Sequence, residues 1–204
     1  MTVTDGLRER KKAETHQALT VAAVRLAEEL GPDRVTVEAI AEAAGVSPRT
    51  FFNYFQSKED AMVGVSPNET SELLDDLAAR PEDEAPLDSL RAMALAAAAR
   101  LEAKADEMMA RHRLTQAYPS LAMRRAARST EVERALAEVI AGRTGLDVDR
   151  DPYPLLAAST ALSAIRVAMS AWQERDRPGP LVDLLDETFA LLARGLPSPA
   201  LSPS

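Results

Sequence analysis

The sequence predicts an all-α fold, and three observations predict it. The 204 residues are rich in alanine, leucine, glutamate and arginine and only 4% aromatic, a composition of strong helix formers. Apolar residues recur three and four apart along most of the chain, the period of one helix face. Residues 36–58, TVEAIAEAAGVSPRTFFNYFQSK, carry the caps, turn and spacing of two short helices tightly joined. At 46% apolar residues the chain can bury a sizeable core, and its length suits one large domain or a small domain joined to a medium one.

The first helix is expected from about residue 8 to Leu30, after a frayed start. Leu19, Ala22, Ala23, Leu26 and Leu30 form its apolar stripe. Gly31-Pro32 stops it, because glycine suits the position past a helix end and proline cannot continue one. Arg8, Arg10, Lys11 and Lys12 cluster at its start, as a solvated helix end or as an arm toward a phosphate backbone. The second helix spans 37–44, with Val37, Ile40, Ala41 and Ala44 on one face. Thr36 caps it and Gly45 ends it. Ser47 caps the third helix, 48–55, and Pro48 sits in its first turn, where a missing N–H is no loss. Phe51 and Phe55 share the inner face. At about 100° per residue, Arg49 and Asn53 point away from that face, flanked by Thr50 and Phe52. Such a pair, showing small, polar and cationic groups outward, is a DNA-reading unit.

Ser57 then caps a fourth helix, with Asp60 completing a variant capping box. Lys58 stands in the first turn, beside a helix N-terminus that favours anions, and is expected to clamp a phosphate. Gly64 and Pro67 break or kink this helix, which resumes at Asn68 and runs to about Arg80. The acidic loop PEDEAP, 81–86, leads to a helix over 87–110 striped with Leu87, Leu90, Ala94, Ala97 and Leu101. Its alanine-rich stretch, 91–105, either lets helices pack closely or lines a cavity. A short helix or irregular turn follows to Pro119, then a long helix over 120–143 ended by Gly142 and Gly145. A helix over 154–175 carries Leu155, Ala158, Leu162, Ile165, Met169 and Trp172, a heptad-like seam suited to packing along another helix. After the turn RDRPGP, 175–180, a last helix with Leu181, Leu184, Leu185, Thr188, Leu191 and Leu192 ends near Gly195. The Pro- and Ser-rich tail, 197–204, is expected to be disordered. The last two helices complete a bundle in a monomer, or pair with their symmetry mates in a dimer; DNA reading favours the dimer, because one recognition helix covers few base pairs.

The net charge of −8 by itself argues against nucleic acid, but local charge at the contact surface sets phosphate affinity. There is no cysteine, which excludes disulfides and thiolate metal sites. The N-terminus has no apolar run of the secretory kind, and no stretch approaches the roughly 18 uncharged apolar residues of a membrane helix, so a cytoplasmic protein without a membrane partner is expected. The chain has no Gly-rich phosphate loop, nucleophile elbow or zinc motif, and its two histidines, His16 and His112, stand far apart. Neither catalysis nor a cofactor or metal is expected.

The run Thr36-Val37-Glu38-Ala39-Ile40-Ala41, then Ala44-Gly45-Val46-Ser47, Thr50-Phe51-Phe52-Asn53-Tyr54-Phe55 and Ser57-Lys58-Glu59, resembles the TetR-type repressor family. The resemblance covers the first quarter of the chain. It implies a homodimer with a three-helix DNA-binding head, 1–56, and a helical regulatory and dimerisation body, 57–196, where a small-molecule effector would release operator DNA. Tyr54 and Lys58 match the family's phosphate-contacting positions, and Arg49, Thr50 and Asn53 match positions that reach bases or nearby phosphates. Phe52 departs from the tyrosine often found there. A phenyl ring cannot donate to phosphate, so its contact would be apolar, to a thymine methyl. With Thr36, Ser47 and Pro48 these residues form the expected contact surface for double-stranded DNA.

The body is similar, on RHRL at 111–114, YPSLAMR at 118–124 and the closing helix LVDLLDETFALLARGL, to regulatory domains of actinobacterial members such as the mycofactocin-system repressor. That suggests an acyl-CoA-like or other lipophilic effector. The candidate effector residues are Met93, Met108, Arg111, His112, Arg166 and Trp172. Each has a plain alternative as core filler or solvated surface. The other function considered is a helical lipid- or acyl-thioester-binding protein without specific DNA binding.

Overall fold

The computed structural model describes residues 3–64, 67–174 and 179–197, and the regular structure of the described part is all helical, with no strand. The expected tail lies almost wholly outside these residues. Ten helices follow one another: α1 (Val3–Leu30), α2 (Val37–Ala43), α3 (Pro48–Phe52), α4 (Lys58–Val63), α5 (Pro67–Ala78), α6 (Pro86–Ala103), α7 (Ala105–Ala117), α8 (Pro119–Thr144), α9 (Pro152–Glu174) and α10 (Leu181–Ala193). α1 starts five residues earlier than expected. Once a helix is nucleated each further residue adds a hydrogen bond, and Gly6 alone does not stop it.

The chain packs as two units. The first comprises Met1–Ser71 and Lys104–Thr130, the second Glu72–Ala103 and Glu131–Ser204. The first unit is therefore larger than the head of residues 1–56; α4, α7 and the start of α8 pack with α1–α3. Its core gathers Leu19, Ala23, Ile40, Phe51, Phe55, Met62, Leu114 and Leu121. The second core gathers Leu77, Leu90, Met93, Leu136, Ile140, Ala158, Ala161 and Phe189.

This division explains the main departure from the expected elements. A single helix was expected over 87–110, but the chain breaks at Lys104, whose φ of −105° and ψ of 11° leave the helical region. No glycine or proline marks the spot. The buried residues before it, Leu90, Met93 and Ala94, belong to the second core, whereas Ala110 and Leu114 after it belong to the first. Two burial demands on one stretch outweigh its uniform helix propensity.

In the second unit, α6, α9 and α10 pack together, closed by polar contacts at the ends. The Glu102 carboxylate accepts from the Leu181 N–H at the start of α10, and Arg91 holds Asp186 (2.8 Å from Nε). Arg143, on α8, donates to the carbonyls of Leu77, Arg80 and Pro81 and to the Ser89 hydroxyl, at 2.7–3.1 Å, so it ties the end of α5 to the loop before α6. The seam on α9 is largely spent inside this unit. Ala158, Met169 and Trp172 are buried and Leu162 and Ile165 pack on the core, while Leu155 is exposed. α9 is also long and apolar enough to cross a membrane by length and composition, which corrects the expectation that no stretch approaches that limit. Core packing accounts for one side of it; its other side is uncovered in the monomer.

Candidate nucleic-acid interface

The head is set by local hydrogen bonds that the sequence announces. The Thr36 hydroxyl accepts from the Ala39 N–H at 3.1 Å and so caps α2. Past the end of α2 the Gly45 N–H reaches the Glu42 carbonyl (3.0 Å) and the Val46 N–H the Ala41 carbonyl (2.9 Å). This double closure needs a left-handed residue, and Gly45 supplies it at φ 69°. The Ser47 hydroxyl accepts from the Thr50 N–H at 3.1 Å and lies 2.9 Å from the Thr50 hydroxyl. Both hydroxyls are thus engaged with each other at the start of α3.

α3 is one residue longer than a turn, shorter than the expected 48–55. Its end tightens: the Asn53 N–H bonds the Thr50 carbonyl and the Tyr54 N–H the Phe51 carbonyl, each three residues back, at 3.1 and 2.9 Å. The Phe55 N–H returns to the four-residue pattern, bonding the Phe51 carbonyl at 3.0 Å. Phe51 and Phe55 are buried with ring centroids 5.6 Å apart, and His16 packs on Phe55 at 4.5 Å. This brace turns the other side of the segment outward. Thr36, Ser47, Pro48, Arg49, Phe52 and Asn53 are exposed and Thr50 and Tyr54 are half-buried. Phe52 is 59% exposed, with its ring edge-on to Phe51 at 5.5 Å. A large apolar ring held in water on an otherwise polar surface costs free energy until something covers it.

Lys58 departs from its expected part. Its ammonium donates to the carbonyls of Pro32 (2.9 Å), Asp33 (3.3 Å) and Val35 (2.9 Å). An ammonium has three donors, and all three are used. In this structure Lys58 is therefore a strut from α4 to the turn before α2, not a free phosphate clamp.

Besides the expected Ser57 cap, α4 is held by two arginines that the sequence reading did not connect with it. The Ser57 hydroxyl caps it through the Asp60 N–H (3.1 Å) and donates to the Asp60 carboxylate (2.9 Å). Arg124, on α8, takes the same carboxylate with two hydrogen bonds, 2.6 and 2.8 Å. Burial pushes the Asp60 carboxyl up, but the hydrogen bonds from Arg124 and Ser57 and the Arg124 charge outweigh it and hold the group below its ordinary value. At the other end Arg111, on α7, donates to the Gly64 carbonyl and pairs with Glu107 at 3.0 Å; Glu107 also accepts from Gln17 of α1.

The six candidate effector residues divide between the units. Met108, Arg111 and His112 lie half-buried on one stripe of α7 in the first. Met93 and Trp172 are buried in the second, the Trp172 indole donating to the Gly179 carbonyl at 2.7 Å. Arg166 is exposed on α9, so it faces no interior pocket of its own unit. No group of acidic or histidine side chains with metal-binding geometry occurs among the described residues.

Comparison with known proteins places this geometry in a family. Residues 19–61 match the model described as bacterial regulatory proteins, tetR family, and residues 84–197 match the MftR C-terminal domain of that family. The transcriptional regulator TcmR of Streptomyces glaucescens is 36% identical over 177 residues, 83% of this chain and 78% of that protein. Among solved structures, the fatty acid degradation regulator FadR of Bacillus halodurans is similar at a TM-score of 0.59 and 21% identity, covering 89% of this chain and 96% of that one. FadR of Bacillus subtilis, solved in complex with stearoyl-CoA, is similar at a TM-score of 0.52 and 22% identity, covering 88% and 98%. The two solved structures share the fold. The helix–turn–helix, the two family matches across most of the chain and the relative of 36% identity together make the chain a member of the TetR family of bacterial transcriptional regulators.

Proposed function

We propose that the protein is a homodimeric, ligand-responsive repressor that reads double-stranded operator DNA with the outer face of α3. The observation carrying this is the exposed set Arg49, Phe52 and Asn53, fixed by the Ser47 cap on one side and by buried Phe51 and Phe55 on the other. Arg49 is the cation of this set and suits guanine, which offers two acceptors in the major groove; Asn53 suits adenine; Phe52 suits a thymine methyl. Thr36, Ser47, Pro48, Thr50 and Tyr54 border the contact, as backbone and phosphate neighbours. Lys58 positions the head from behind. DNA reading places the protein in the cytoplasm.

Residues 1–56 act as the head and 57–196 as the body that senses and dimerises. Two copies join through α9 and α10. Support comes from the uncovered side of α9, where Leu156 is 64% exposed and Val167 and Ser163 are also open. The effector is lipophilic or acyl-CoA-like, a reading that rests on the kind of regulatory domain matched and on the stearoyl-CoA bound by the Bacillus subtilis relative. An anionic group on it would compete for Arg111 with Glu107 and the Gly64 carbonyl, and so loosen α4. It shifts the protein only if it binds the released state better than the DNA-bound one.

The test is a titration of DNA fragments from around the gene. Two copies should bind one fragment, and the logarithm of affinity should fall linearly with the logarithm of salt. Binding that does not distinguish this fragment from scrambled DNA at any salt concentration would leave a small-molecule-binding protein instead.

A further inference from the structure

The outer side of α9 and α10 carries charges that the single chain leaves unpaired. α9 has one cation, Arg166, set among apolar and small residues. It is exposed, and among the described residues no carboxylate lies in ion-pair range of it. On α10, Asp186 is taken by Arg91, whereas Asp183, in the first turn, and Glu187, further along, are exposed and have no cationic partner among the described residues.

The Trp172 indole bonds the Gly179 carbonyl, so the pair is closed there and α10 returns beside α9. Arg166 lies six residues before Trp172, and Glu187 eight residues after Gly179, the last six of those steps within α10. At about 1.5 Å per helical residue, both stand roughly two turns in from the end that this bond ties. A two-fold axis running along the pair preserves level and lays α9 of one copy over α10 of the other. Covering the face of α9 with anything lacking a carboxylate would bury an uncompensated guanidinium. A second copy brings the carboxylate at the right level.

We propose that Arg166 pairs with Glu187 of a second copy, twice per dimer, and that this pair fixes which way the two copies face. The proposal rests on the dimer reading above and names the contact within it. The test is sedimentation of the full chain across a concentration series, for wild type, Arg166→Glu, Glu187→Arg and the double exchange. Each single reversal should raise the dimer dissociation constant at least about 30-fold, and the double exchange should recover most of it. Helix content and unfolding temperature of the dilute singles should match those of dilute wild type. If a reversed chain fails to fold, Arg166→Gln and Glu187→Gln decide, with the same direction of effect expected. A wild type that stays monomeric at every concentration overturns the dimer reading itself. A wild-type dimer whose singles associate unchanged, or whose double exchange is no better than the singles, keeps that reading and overturns the pair.

Discussion

Lys58 shows how far a residue's local setting can mislead. Its place in the first turn of α4 points to a phosphate, and the sequence offers no rival partner nearby. The three carbonyls it serves lie 26, 25 and 23 residues earlier, beyond any local pattern. Charge-assisted hydrogen bonds of this kind contribute about 1.5–3 kcal/mol each when well formed, less where water competes. Lys58→Ala should therefore lower the unfolding free energy by about 1–3 kcal/mol in a urea titration, and weaken DNA binding only in step with that loss. A variant of wild-type stability that loses affinity equally for all sequences would return Lys58 to the phosphate. The caps were readable for the opposite reason. Thr36, Ser47 and Ser57 each bind an N–H three residues on, and that geometry depends on almost nothing else.

Helix α4 is the element with the most assignments. It is short, only six residues, and is held by Lys58 and Asp60 at one end and by the Gly64 carbonyl at the other. Gly64 has φ 64°, and a Cβ there would stand 2.5 Å from Arg111 Nη1 and 2.8 Å from Thr20 Cγ2. Gly64→Ala should cost at least about 1–2 kcal/mol from the left-handed backbone alone, with more from displacing Arg111. Urea unfolding would show it, and an unchanged midpoint would contradict both the left-handed backbone at Gly64 and the Arg111 seat beside it. The loop before α6 makes a second case. Hydrogen bonds from Arg80 and then Ser89 hold the Glu84 carboxyl at about 2, against burial and with help from the Arg80 and Arg143 charges. A carboxylate lowered in the folded state stabilises above its unfolded value near 4.5 and loses that contribution as pH falls toward 2. The stability gap between wild type and Glu84→Gln should be full at pH 6 and close as pH drops from about 4.5 to 2. The acidity of this loop was legible; its clasp was not, because Arg143 reaches back 54–66 residues to make it.

At the scale of the molecule, the fold class and the head followed from composition, period and caps, since these act within a few residues. The division into two units did not. It is decided by which core each side chain enters, and α6 and the start of α7 read as one helix until the cores are known. The total charge of −8 belongs to this scale too. On the reading proposed above, the outer face of α3 supplies most of the sequence preference of this acidic molecule. The direct measurement is fluorescence anisotropy of wild type and Arg49→Ala/Asn53→Ala on the bound genomic fragment and on its scrambled counterpart at one salt concentration. Wild type should prefer the genomic fragment by about 10³-fold or more. The double variant should lose most of that preference, at about 1–3 kcal/mol per lost base contact, while unfolding as wild type does. Equal preference in wild type and variant would contradict the assignment of sequence reading to this face.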